Sequence, residues 1–302
     1  MIFLLALYPF VEQSANNLSF SEITRAWRTL LGPARLEYVK GTILRHMSDF
    51  ILFAVIGFLA QVVDGALGMA YGVISSTFLI SFGVTPAQAS AAVHAAEMFT
   101  TAASGGAHLY HRNIDWRLFW RLMPFGVAGG CAGAYVLTSF EGEVIKPFIT
   151  GYLALVGAWL LVRSFRKMPS RPVPARVVAP LGAAGGFLDA AGGGGWGPIV
   201  TTGLLGAGAP PRYVIGTVNA SEFLITLAVS LSFLVALLSG RWAEADGLDS
   251  HLEAVAGLIA GGLFAAPLAG LVVKSIDETL LLRLVGGLIV LLSGWQTLQL
   301  FI

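Results

Sequence analysis

The stretch GFLDAAGGGGWG, residues 186–197, places one aspartate and a run of glycines inside a long apolar segment. A second stretch, VDGALGMAYG at 63–72, repeats the arrangement with fewer consecutive glycines. A charged side chain is costly in a membrane interior, and glycine weakens a helix. The sequence therefore predicts two interrupted membrane helices, each with an aspartate at the start of its break.

The composition is that of a membrane protein. Of the 302 residues, 56% are hydrophobic and 12% are charged, whereas an ordinary soluble domain has about 25% charged residues. Besides the two interrupted stretches, apolar runs long enough to cross a bilayer occur at 86–109, 118–139, 145–163, 214–238, 254–273 and 280–301. We therefore predict an all-α polytopic integral membrane protein, with the lipid bilayer as its surroundings.

Several function classes are disfavoured by the same sequence. The net charge of +1 offers no electrostatic footprint for nucleic acid, and the single cysteine, Cys131, excludes a cysteine-cluster metal site. The glycine run lacks the Gly-Lys-Ser/Thr of a nucleotide-binding loop, and neither G-x-S-x-G nor H-E-x-x-H occurs. We therefore expect no enzymatic activity, no cofactor and no metal; a homo-oligomer is left open.

The chain after about residue 50 reads as two copies of one unit. A shift of 125 positions aligns 57–101 with 182–226 without a gap, and 14 of the 45 pairs are identical. The offset then drifts to about 136, where Gly151 and Trp159 meet Gly287 and Trp295. We predict two homologous repeats, each with a Gly-interrupted helix, broken or re-entrant, and three transmembrane helices.

This duplication divides the chain into four parts. They are a basic, interfacial or partly ordered segment at 1–48, repeat 1 at 49–163, a basic linker at 164–176 and repeat 2 at 177–302. If the interrupted segments cross the bilayer, there are eight spans and parallel repeats. If they are re-entrant hairpins, there are six full spans and inverted repeats. Both versions keep the basic stretches on one side, as the positive-inside rule requires, so the charges do not choose between them.

Paired broken helices indicate a secondary transporter whose site lies where the breaks meet. Bare glycine N–H groups and the dipoles of half-helices favour an anionic substrate. The alternatives are that the glycines serve helix packing, that the hydroxyls bond back to their own helix and that the aromatic rings fill space. The candidate substrate-binding residues are Gly65, Gly68, Tyr71, Gly72, Thr77, Gly192, Gly193, Gly194, Gly195, Trp196, Gly197 and Thr202.

Further polar residues in these segments are candidates for proton coupling or gating, because intramembrane acids are usually functional. The aspartates could instead cap the half-helices that follow them, and the glutamates could bond helices between the repeats. The residues concerned are Asp64, His94, Glu97, Asp189, Asn219 and Glu222.

The two halves carry longer matching motifs, GFLDAAGGGGWGPIVTTGLL and PPRYVIGTVNASE in the second and VDGALGMAYG and TPAQASAAVHAAE in the first. Together they resemble the TauE/SafE family of sulfite and organosulfonate exporters over about residues 50–300. The resemblance implies an inner-membrane carrier that moves small sulfur-containing anions, such as sulfite, sulfoacetate or related sulfonates, usually outward. It places the family motif on Asp64, Gly65, Gly68, Gly72, Asp189 and residues 192–197.

The glycine run is intact only in the second half, so we expect the anion nearer 192–197 than 65–72. A carrier of another small organic anion and a non-transporting accessory membrane subunit are the alternative functions.

Overall fold

Helices make up every regular element that the computed structural model describes, which covers residues 47–65, 67–165, 175–207, 209–242, 252–272 and 278–299. Most of the predicted N-terminal segment and linker lie outside these described residues. The helices are α1 Met47–Gly65, α2 Tyr71–Ser81, α3 Pro86–Tyr110, α4 Trp116–Leu137, α5 Gly142–Ser164, α6 Ala175–Gly192, α7 Thr202–Gly206, α8 Pro211–Leu238, α9 Leu252–Val272 and α10 Glu278–Gln299, with a π-helical turn at Gly197–Thr201.

The six apolar runs predicted from the sequence correspond to α3, α4, α5, α8, α9 and α10. By length and composition, α1, α5 and residues 212–238 of α8 are apolar enough to cross a membrane, with mean hydropathies of 1.7, 1.7 and 2.1. The outer surface carries large exposed apolar side chains, among them Phe148, Leu155 and Leu291. Such a surface suits contact with lipid, so the prediction of an all-helical membrane protein agrees with the structure.

The first interrupted segment doubles back on itself. After α1 the chain turns at residues 68–70. The φ angle is 64° at Gly68 and 95° at Ala70. This left-handed region suits glycine and is unfavourable for alanine. The return arm, α2, brings the ring of Phe82 within 5.8 Å of the ring of Phe53 near the start of α1. The segment is therefore a hairpin rather than one continuous crossing.

The second interrupted segment has the same geometry. It turns at Gly193 and Gly194, whose φ angles are 69° and 154°. A Cβ placed on Gly185 would lie 2.4 Å from the side chain of Val200, and one on Gly203 would lie 2.9 Å from Leu181. The arms are thus antiparallel, and of the two arrangements that the sequence leaves open, both segments adopt the hairpin.

Each hairpin packs along a helix of the other half of the chain. A Cβ on Gly182 of α6 would lie 2.8 Å from the carbonyl oxygen of Leu122 in α4. One on Gly57 of α1 would lie 2.5 Å from the carbonyl oxygen of Leu258 in α9. Because no side chain separates these backbones, the helices approach more closely than larger residues would allow. The remaining long helices pair α3 with α8 and α5 with α10.

We expect Gly186→Ala to destabilise the protein, because the new Cβ would lie 2.1 Å from the carbonyl oxygen of Gly126. Overpacking of this kind costs about 1–3 kcal/mol, so the apparent Tm in detergent should fall by roughly 2–10 °C. Gly151→Ala is the matched control, because a Cβ there meets nothing within 4 Å. Its Tm should stay the same or rise slightly. Equal losses in both variants would contradict the packing described.

Candidate functional site

The two breaks lie directly against each other in the protein interior. A Cβ on Gly194 would lie 2.2 Å from the amide nitrogen of Val73, and one on Gly197 would lie 2.6 Å from the Cα of Met69. One on Gly72 would lie 2.8 Å from the Cα of Gly194. Backbone therefore meets backbone, and any larger residue at these three positions would push the hairpins apart.

The aromatic side chains of the two breaks, Tyr71 and Trp196, are buried beside this contact. The Tyr71 hydroxyl donates to the carbonyl oxygen of Leu258 at 3.0 Å, and the Trp196 indole N–H donates to that of Val218 at 3.2 Å. Both rings are at most 2% exposed. They fill the space beside the glycines and anchor the starts of the return arms to α9 and α8.

The hydroxyls near the breaks divide between two roles. Thr77 donates to the carbonyl oxygen of Val73 at 2.6 Å, and Thr202 donates to that of Pro198, each one turn earlier on its own arm. The Thr201 hydroxyl instead reaches across to the first break, where it donates to the carbonyl oxygen of Gly68 at 2.8 Å. Thr201 therefore links the two breaks, whereas Thr77 and Thr202 bond within their own segments.

The two aspartates cap the return arms. One carboxylate oxygen of Asp189 accepts the N–H groups of Gly195 and Trp196 at 2.7 and 3.0 Å. The carboxylate of Asp64 likewise accepts the N–H of Tyr71. Both acids thus serve the amide seven residues further on, which satisfies donors that the turn leaves free.

Four acidic side chains converge at this centre. Asp64, Glu97, Asp189 and Glu222 are all buried, at 5%, 2%, 1% and 7% exposure. They lie close enough for electrostatic repulsion: Glu222 interacts with each of the other three, and Glu97 also interacts with both aspartates. Charges buried without compensation are costly, so this centre must hold positive charge, whether as protons or as a cation.

His94 is the basic side chain seen to contact the acids. Its Nε2 lies 3.2 Å from Oδ2 of Asp189, and its Nδ1 lies 2.8 Å from the carbonyl oxygen of Ser90. A carbonyl can only accept, so Nδ1 carries a proton and Nε2 is turned toward the acids. Of the described residues, His94, Glu97 and Asp189 also offer ligand atoms within 4.8 Å of one another, as a bound cation would need.

The second half lacks this pair. Asn219, which aligns with His94, accepts from the Ser104 hydroxyl at 2.9 Å and donates to the carbonyl oxygen of Ile215 at 3.1 Å. It therefore bonds α8 to α3. The proton-coupling and gating roles of these polar residues stay predictions. The two breaks differ in one respect, because Asp189 has His94 as a partner, whereas the residue that aligns with His94 is an asparagine.

Comparison with known proteins identifies the family. Residues 53–296 match the family model described as sulfite exporter TauE/SafE. The chain belongs to the TauE/SafE family. It is 43% identical over 255 residues to the "Probable membrane transporter protein YtnM" of Bacillus subtilis (strain 168), an alignment that covers 82% of each chain. No solved structure matches it. The resemblance inferred from the sequence is confirmed, and the protein is a membrane transporter of this family.

Two further side chains of this TauE/SafE protein lie at the breaks, and the sequence did not identify them as site residues. Tyr152 in α5 donates its hydroxyl to the carbonyl oxygen of Gly194 at 3.0 Å. A Cβ on Gly192 would lie 2.2 Å from the ring of Tyr152, and one on Gly195 would lie 2.4 Å from its hydroxyl oxygen. The same side chain also lines two apolar cavities of about 480 and 520 Å³. Tyr152 therefore packs against the second break and bonds to its backbone.

The other is Arg163, at the end of α5, which is 8% exposed. Its guanidinium donates to the sulfur of Met69 in the first break at 3.3 Å. Arg163 directly precedes the basic linker, so the sequence does not distinguish it from the other basic residues there. The structure places it as a positive charge beside the first break.

We expect Asp189→Ala to loosen the second return arm, because it leaves two buried amides without an acceptor, at roughly 1–3 kcal/mol each. Hydrogen exchange in peptides covering 193–201 should accelerate at least tenfold. Asp115→Ala is the control, since Asp115 caps Arg117 and Leu118 at an exposed helix start, where water can replace it. That loss should be about 1 kcal/mol. Unchanged exchange in Asp189→Ala would contradict the capping role.

Proposed function

We propose that this TauE/SafE protein is a multi-pass secondary transporter of the bacterial inner membrane that exports small sulfur-containing anions, such as sulfite, sulfoacetate or related sulfonates. The observation that carries the proposal is the direct backbone contact between two glycine breaks, Gly68–Gly72 and Gly192–Gly197. Broken helices that meet in a membrane protein form substrate sites in secondary transporters. The family description, a sulfite exporter, supports the class of substrate.

The donors for an oxyanion are present at the second break. The amides of Gly195 and Trp196 begin the return arm and point at a carboxylate oxygen of Asp189. The oxygens of a sulfite or sulfonate group are also negatively charged hydrogen-bond acceptors, so such a group competes with Asp189 for these amides. On this proposal Asp189 holds the donors in position, and the substrate takes them over.

The charge balance agrees with a site between the breaks. Arg163 lies at the first break, against Met69, and supplies a fixed positive charge. The acids Glu97 and Glu222 lie on the opposing helices α3 and α8. An anion that binds between the breaks is attracted by the arginine and by the half-helix dipole, while the acids limit how long it stays.

We further propose that the two halves are inverted repeats. Support comes from reciprocal packing: Trp196 lies against Gly126 of α4, and Tyr71 lies near Gly262 of α9. Tyr71 aligns with Trp196 at the offset of 125, and Gly126 with Gly262 at 136. Repeats of opposite orientation can exchange conformations, which opens the site alternately to the two sides of the membrane.

Transport is tested with the full chain in proteoliposomes, using sulfite and sulfoacetate as substrates and malonate as the carboxylate analogue of sulfoacetate. We expect saturable flux of the sulfur anions and at least tenfold slower flux of malonate. If the protein is folded and neither sulfur anion moves, the proposed function is wrong. If malonate moves equally well, the protein carries small anions without sulfur selectivity.

We expect Gly194→Ala to abolish most of the flux. The new Cβ would lie 2.2 Å from the amide nitrogen of Val73, and φ at this position is 154°, so the breaks could not close together. Flux should fall at least tenfold. Gly106→Ala is the matched control, because nothing lies within 4 Å of its Cβ, and it should retain wild-type flux. Wild-type flux in Gly194→Ala would show that transport does not require this closure.

A further inference from the structure

His94, Glu97 and Asp189 form a compact buried group, the His94 cluster, between α3 and the second hairpin. We propose that the His94 cluster binds one divalent cation of the kind that accepts mixed imidazole and carboxylate ligands, such as Zn²⁺, Mn²⁺ or Co²⁺. This site goes beyond the transport function proposed above, and it differs from the expectation, drawn from the sequence, that the protein binds no metal.

The spacing of the ligand atoms carries the first step. One atom from each residue lies within 4.8 Å of the other two, and Nε2 of His94 lies 3.2 Å from Oδ2 of Asp189. Ligands about 2.1 Å from a metal are separated from their neighbours by about 3.0–3.4 Å in tetrahedral or octahedral geometry. The His94–Asp189 distance therefore suits adjacent ligands, and a small inward movement of Glu97 completes the set.

The surrounding hydrogen bonds orient the ligand atoms. Nδ1 of His94 donates to the carbonyl oxygen of Ser90 at 2.8 Å, which leaves the lone pair of Nε2 directed into the cluster. The other carboxylate oxygen of Asp189 accepts two backbone N–H groups, so Oδ2 faces His94. Metal-binding histidines and carboxylates are usually held in this way by a second layer of hydrogen bonds.

Glu97 supplies an independent sign of a ligand. Its Oε2 is buried, and it has no hydrogen-bond partner among the described residues. The side chain is 2% exposed and lies one turn after His94 on α3. A buried carboxylate oxygen without a partner is costly. A cation in the cluster would coordinate this oxygen and remove that cost.

The charge of the surroundings favours the same conclusion. Asp64 and Glu222 are two further acids close enough to interact electrostatically with the carboxyl groups of the cluster. A divalent cation would neutralise two carboxylates. It would also join α3, in the first half of the chain, to the second hairpin through Asp189. The alternative explanation of the short His94–Asp189 distance is a plain hydrogen bond, and the experiment below separates the two.

Binding is measured on the purified full chain in detergent, after the affinity tag has been removed and metals have been stripped with EDTA. We expect Co²⁺ to bind at one ion per chain with a Kd of about 10 µM or lower, and Zn²⁺ to displace it. X-ray absorption of the Zn²⁺-loaded protein should show one imidazole nitrogen among oxygen ligands near 2.0–2.1 Å. Failure to saturate at one ion per chain, or a bound ion without an imidazole ligand, would overturn the proposal.

Variants locate the site. His94→Asn and Glu97→Gln should each weaken Co²⁺ binding at least 30-fold. His108→Asn, on the same helix but bonded to Asn113, and Glu143→Gln, in the exposed first turn of α5, should bind as the wild type does. Wild-type affinity in both cluster variants would overturn the proposal. If a cluster variant does not fold, the absorption spectrum of the wild type decides. Neither readout depends on flux, so metal binding and anion transport can fail separately.

Discussion

The contact between the backbone at Gly194 and that of residues 72–73 determines where the other polar groups can lie. With no side chain between them, the two turns meet at a distance that only glycine permits. The amides at the start of each return arm are then enclosed by protein, and they need acceptors that water cannot provide. Asp64 and Asp189 meet this need. The carboxylates in the core follow from the break itself, because every buried donor must find a partner.

Enclosed carboxylates create the second constraint, which is charge. Glu97 and Glu222 lie on the paired helices α3 and α8 and repel the capping aspartates. His94 contacts Asp189 at 3.2 Å, whereas Asn219, which aligns with His94, bonds to Ser104 instead. The second break therefore differs from the first in the histidine beside its aspartate as well as in its longer glycine run.

Much of this arrangement can be predicted from the sequence, because helix length and glycine position are local properties. The six apolar runs and both breaks follow from residue type and spacing, and capping by the aspartates is one of the two roles that the sequence leaves open. The hairpin geometry does not, since a segment of this length and charge fits either arrangement; it is fixed by contacts such as Phe53 with Phe82. Tyr152 and Arg163 could not be identified, because no motif marks them. The His94–Asp189 pair joins residues 95 positions apart, beyond the reach of any helical pattern.

The exchange of packing partners between the halves has a consequence for how the protein is made. The glycine face of α1 is covered by α9, and the Tyr71 hydroxyl finds its acceptor at Leu258, 187 residues later in the chain. During synthesis the first hairpin therefore enters the membrane long before the helix that completes it exists. Until α9 is inserted, the glycine face of α1 and the Tyr71 hydroxyl lack the partners that they have in the folded protein. The first hairpin therefore stays incompletely packed while the 187 residues from Tyr71 to Leu258 are synthesised. In a protein whose neighbouring helices pair with each other, this delay would be shorter.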